Sequence, residues 1–130
     1  MTDVLLAIDD DEEHARRTAE AVAALDWDVL EVTVLHVFTG NVEGASVSQL
    51  ASARAARDVL EGAGIETTLA EDSGDPGQRI IDEAEGRDVD LVAVAGRKRS
   101  PAGKAVFGSV SQSVMLNVEV PVLFCPAEPG

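Results

Sequence analysis

Val4-Leu5-Leu6-Ala7-Ile8-Asp9 is a continuous apolar run that stops on a carboxylate. A strand with one wet face would alternate apolar and polar residues, and this run does not, so it reads as a strand buried on both faces. Outward from it, Asp10, Asp11, Glu12 and Glu13 place acids where the start of a helix favours negative charge. Ala15, Ala19, Val22, Ala23 and Leu25 then follow on helical spacing. Val29 to Val37 is the next strand, and its β-branched residues suit a buried sheet.

The same alternation continues to the end of the chain. Ser46, with Gln49 three residues later, predicts a capping box opening a helix that runs to about Glu61 and is stopped by Gly62 and Gly64. Ile65 to Ala70 is a weaker strand, expected at the edge of the sheet. Asp75-Pro76-Gly77-Gln78 predicts a helix start with Asp75 as N-cap, and Gly86 is expected to end that helix. Val89 to Ala95 is a fourth buried strand. Ser109 and Gln112 form a further expected capping box, with Val110, Val114 and Leu116 turned to the core and a stop near Asn117. Val120 to Phe124 is the last strand. Strands alternating with helices predict an α/β fold, Rossmann-like, in which helices cover both faces of a five-stranded parallel open sheet, and residues 1–130 are expected to form a single domain.

Asp and Glu total 24 against 10 basic residues, a formal net charge of −14, and only Lys98 and Lys104 are lysines. That balance disfavours nucleic acid, whose binding rests on a basic face. Many acids, few lysines and few aromatics together look like proteins of salt-accumulating halophiles. No apolar run approaches the roughly 20 residues that span a bilayer, and Met1-Thr2-Asp3 leads straight into a strand without a signal-peptide pattern. A cytoplasmic protein is expected. Cys125, the single cysteine, excludes an internal disulfide and lies in an apolar run, where a thiol is expected to pack.

In open parallel sheets ligands bind beyond the carboxyl ends of the strands, at the point where the strand order reverses. Asp9, Val37 and Gly96 mark three such ends. The last is the richest, because Gly96-Arg97-Lys98-Arg99-Ser100-Pro101-Ala102-Gly103-Lys104 holds four of the ten basic residues. Behind it Gly108-Ser109-Val110-Ser111 opens a helix whose free N–H groups, dipole and hydroxyls suit a phosphate. A solvated charged loop ahead of an ordinary helix cap fits the same residues. A Walker A loop does not, since Lys98 stands where its first glycine belongs and Gly103-Lys104 lacks the following Ser or Thr. His14 and His36 lack metal-ligand spacing and read as a surface residue and a sheet residue. No nucleophile elbow or acid–base pair stands out, so a non-enzyme is expected.

Taken together, Val4 to Asp9, His36-Val37, Gly74-Asp75-Pro76, Asp90 to Gly96, Gly108-Ser109 and Val120 to Leu123 resemble the universal stress protein family over nearly the whole chain. The resemblance implies strand order 3-2-1-4-5, binding of ATP or a related adenine nucleotide in one branch, and a homodimer through the last strand. The nucleotide-binding branch carries Gly-x₂-Gly-x₉-Gly-Ser/Thr. Here Gly96 and Gly108-Ser109 match, Arg99 replaces the second glycine, and the intervening stretch is one residue short. Carried over by position, the site comprises Ile8, Asp9 and Asp10 after the first strand, Val37 near the adenine, Gly96, Arg97, Lys98 and Arg99 in the loop, and Gly108, Ser109, Val110 and Ser111 at the phosphates. Asp9 lies near the ribose or a nucleotide-bound Mg. The expected function is a nucleotide-binding stress-response regulator. A homodimeric interaction module without nucleotide is the alternative. A phosphoryl-accepting receiver, for which Glu71-Asp72 would supply the acceptor, comes third.

The charge has a direct consequence. Raising salt from 0.01 M to 1 M shortens the screening length from about 30 Å to about 3 Å, which silences repulsion among surface acids. The melting temperature should therefore climb between dilute buffer and molar KCl, and a flat profile would contradict the halophile reading.

Overall fold

The central run forms a strand because both of its faces find apolar partners. The computed structural model describes residues 2–9, 11–25, 30–38, 46–95 and 109–125. Its strands are β1 (Thr2–Ile8), β2 (Leu30–Phe38), β3 (Glu66–Ser73), β4 (Leu91–Ala95) and β5 (Val122–Cys125). Its helices are α1 (Glu12–Ala23), α2 (Ala51–Gly62), α3 (Pro76–Arg87) and α4 (Ser109–Asn117). All pairings are parallel and the order is β3-β2-β1-β4-β5, as the resemblance implied.

Alternate residues of the inner strands serve two separate cores. Val4, Leu6, Ile8, Val32, Val34 and Ala93 meet Ala15, Ala19 and Val22 of α1 and Ala53, Ala56 and Leu60 of α2. Leu5, Ala7, Leu35, Val37, Val92 and Val94 meet Ile80 and Ala84 of α3 and Val114 of α4. Leu5 and Leu6 are both fully buried, on opposite faces. Each such leucine stabilises the fold by roughly 1.5–3 kcal/mol.

Several expectations shift. Ser46 and Gln49 do not form a capping box: Ser46 opens one 3-10 turn, Val47–Gln49, without a side-chain cap. The turn buries Val47, whose N–H points to Glu71 Oε1 at 3.4 Å. Leu50 then returns to extended backbone, and α2 starts at Ala51. Gly86 does not end α3, which runs on to Arg87 and is closed by Asp88 in the left-handed region (φ 53°, ψ 48°). The Asp88 N–H bonds to the Glu85 carbonyl and the Val89 N–H to the Ala84 carbonyl, so Val89 is spent on the cap and β4 begins at Leu91. The same double bond closes α2 through Gly64 and Ile65, with Gly64 at φ 80°. Leu116 is 82% exposed rather than core-facing, because the buried stripe of α4 passes through Ser111 and Val114 to Val118. Leu116, two residues past Val114, lies well off that stripe. Pro121 cannot donate to a ladder, so β5 starts after it, although its carbonyl accepts from Val92 N–H at 3.0 Å.

The two sheet edges differ. On β3 the exposed residues include Glu66, Thr68 and Glu71, whereas β5 presents half-buried Val122, Leu123 and Phe124. Charges on an edge strand discourage further pairing, and β5 has none.

One substitution made at two glycines should separate the cap from the helix interior. Gly86→Ala meets nothing within 4 Å and should raise stability by about 0.5–1 kcal/mol, since alanine outdoes glycine inside a helix. Gly64→Ala forces a left-handed residue and should cost about 1–2 kcal/mol. Urea melts of the two variants check both signs, and a loss at Gly86 would return the helix end to that residue.

Candidate functional site

From β1 the chain crosses by α1 to β2 and by α2 to β3 on one side, then returns by α3 to β4 on the other side of β1. The order therefore reverses between β1 and β4, and their carboxyl ends border the crevice where such sheets bind ligands.

At that end Ile8 is buried and Asp9 is exposed. Asp9 is held at several atoms. Its Oδ1 accepts the Asp11 N–H at 3.0 Å, and its Oδ2 lies 3.2 Å from His14 Nδ1. Its carbonyl accepts the Ser52 hydroxyl at 2.8 Å, and Ser52 is fully buried in the first turn of α2. Asp11 is the N-cap of α1 and accepts the His14 N–H at 3.0 Å. That backbone bond, assisted by the nearby His14 ring, holds the Asp11 carboxyl below the usual carboxylate range.

Val37 stands at the end of β2, buried on the α3 and α4 face. His36, its neighbour, is a buried sheet residue whose Nδ1–H donates to the Ile8 carbonyl at 3.2 Å while its ring stands edge-on to Phe38. α4 runs back from the carboxyl edge to reach the start of β5, so its first turn, with half-buried Val110 and buried Ser111, opens at the same edge. The structure thus gathers Ile8, Asp9, Val37, Val110 and Ser111 at one rim of the sheet. Asp10, Gly96, Arg97, Lys98, Arg99 and Gly108, together with the Ser109 side chain, lie outside the described residues.

His14 and Ser52 were not expected to take part. Ser52 carried a usable signal, a hydroxyl beside Ala53 and Ala56 on the buried stripe of a helix. His14 carried a weaker one, its place three residues after an N-cap aspartate.

Among the described residues no group of three or more His, Cys, Asp or Glu is arranged to hold a metal ion. The receiver alternative fails on topology. Its third strand must lie beside the first, as in sheets of order 2-1-3-4-5, whereas here β2 separates β3 from β1 and Glu71-Asp72 lie on the outer strand. Cys125 is buried, and that burial pushes its thiol up to about 11, in keeping with a packing role. Among the described residues no helix is long and apolar enough to cross a membrane.

An open α/β sheet wound in both directions, with its crevice between β1 and β4, is the class of protein that fold and rim define. The sequence model of the universal stress protein family matches residues 1–126, and the chain belongs to that family. Among similar solved structures is a universal stress protein from Archaeoglobus fulgidus, with a TM-score of 0.76 and 24% identity over 96% of this chain and 98% of that one. A structure of the Archaeoglobus fulgidus universal stress protein in complex with dAMP has a TM-score of 0.69 and 19% identity over 96% and 98% of the two chains. A universal stress protein family member from Arabidopsis thaliana with AMP bound has a TM-score of 0.70 and 19% identity over 97% and 92%. Comparison with curated protein sequences yields no match.

Proposed function

We propose that this chain binds an adenine nucleotide, ATP or a close relative, across the carboxyl ends of β1 and β4, and acts as a stress-response regulator rather than an enzyme. The observation that carries this reading is the rim itself: Asp9, Val37 and the first turn of α4 open onto the point where the strand order reverses. Relatives of the same fold hold AMP and dAMP. The stretch of sequence between β4 and α4 contains four of the ten basic residues, a concentration suited to phosphate in a chain of net charge −14. In this reading residues 1–130 act as one unit in the cytoplasm. Gly96, Arg97, Lys98 and Arg99 line the phosphate path with Gly108 to Ser111, while Ile8, Asp9, Asp10 and Val37 take the nucleoside, and any Mg arrives with the nucleotide near Asp9.

A homodimer through β5 is part of the proposal, and it stands alone if the pocket holds no nucleotide. Its support is the contrast between the edges, with acids on β3 and apolar Val122, Leu123 and Phe124 on β5.

Calorimetry at high salt, with ATP and AMP and with and without Mg²⁺, should show binding. No heat and no thermal shift at millimolar ligand would favour the interaction module instead. Arg99→Ala should weaken binding by about ten- to a hundredfold, the worth of a charge-assisted bond to phosphate, less where salt screens it. If Arg99→Ala binds as the parent does while Ser109→Ala does not, the helix start alone holds the phosphate.

Sedimentation at tens of micromolar should show a dimer. Leu123→Lys, which places a charge on the β5 edge, should return it to monomer. A parent that sediments as a monomer would overturn this part of the reading.

A further inference from the structure

We infer that His14 is a positioning residue for the crevice, its imidazole fixing the Asp9 carboxylate in the orientation that meets the nucleotide; this role rests on the nucleotide-binding reading above. The Asp9 side chain is 51% exposed and that of His14 31%. An exposed aspartate just past the end of a strand ordinarily samples several rotamers. Here both carboxylate oxygens are tied, Oδ1 to the Asp11 N–H and Oδ2 to His14 Nδ1 at 3.2 Å. A carboxylate only accepts, so Nδ1 carries the hydrogen of that bond. Each oxygen keeps a further lone pair, and the group can still accept from a ligand hydroxyl or amine.

The His14 main chain is itself anchored. The His14 N–H is bonded to Asp11 Oδ1, and its carbonyl accepts the hydroxyl of Thr18 at 2.7 Å. Thr18 is fully buried, as is Ser52, which holds the Asp9 carbonyl from α2. Two buried hydroxyls therefore hold the main chain of the two residues whose side chains meet at the exposed carboxylate. A ligand that meets a carboxylate already ordered loses less freedom on binding than one that must order it. His14 acts through Asp9, which sets the form of the test.

AMP is titrated calorimetrically at fixed molar KCl into the parent, His14→Ala, His14→Phe, His14→Asn, Asp9→Ala and the Asp9→Ala/His14→Ala double variant, with each variant's fold checked by its melting curve. Losing the ring nitrogens in His14→Ala or His14→Phe should weaken AMP binding by about three- to tenfold, the worth of one exposed hydrogen bond. His14→Asn places an amide N–H near the position of Nδ1 and should recover most of that loss. In the Asp9→Ala background His14→Ala should add nothing, because the group it positions is gone. A parent that binds no AMP overturns the nucleotide reading and this role together. A parent that binds, with His14→Ala and His14→Phe unchanged, overturns the positioning role alone. That role also falls if His14→Asn is no better than His14→Phe, or if the losses at His14 and Asp9 add.

Discussion

Burial of β1 on both faces is the constraint from which the rest follows. Leu5 and Leu6 point to opposite sides and neither reaches water, so helices must cover both faces of the sheet. Strands joined in parallel need crossovers, and a crossover is where a helix can be placed. With β1 central, α1 and α2 lie on one side and α3 and α4 on the other. The reversal in strand order then falls beside β1, and the crevice with it. Location of the crevice is thus a consequence of where the apolar residues stand, before any polar residue is considered.

Much of this was legible because the strands are written as apolar runs. Val4 to Ile8 and Leu91 to Ala95 carry no polar residue, and the segments that follow the first three strands have helical spacing. What escaped depends on phase or on distant partners. Gly86 looks like a stop, but glycine inside a helix and glycine after one read alike. The true end at Asp88 is set by Val89 finding the core. Leu116 was assigned to the core by its type, whereas the helix turns it outward once Val114 has fixed the phase. Ser46 and Gln49 have the spacing of a capping box, yet the burial of Val47 between them decides the backbone.

The candidate site was less legible than the fold. Asp9 and Val37 could be placed because strand ends can be placed. Their supports could not: Ser52 lies far from Asp9 in sequence, and a bond from its hydroxyl to a carbonyl leaves no pattern of spacing. The charge distribution sharpens the contrast. Arg16, Arg17, Arg79 and Arg87 each pair with an acid three or four residues before or after them on the same helix. Pairs of that kind on an exposed surface contribute little to stability. They engage those cations locally, and the densest run of basic residues in the sequence follows Gly96.

The unlike edges of the sheet also limit how large an assembly can grow. A sheet with two permissive edges can add copies without end, and that is the geometry of a fibre. Association through β5, as proposed, would consume the uncharged edge of each copy and leave β3, with Glu66 and Glu71, at both ends of the joined sheet. Each copy would then have a valence of one, and polymerisation would end at its first step.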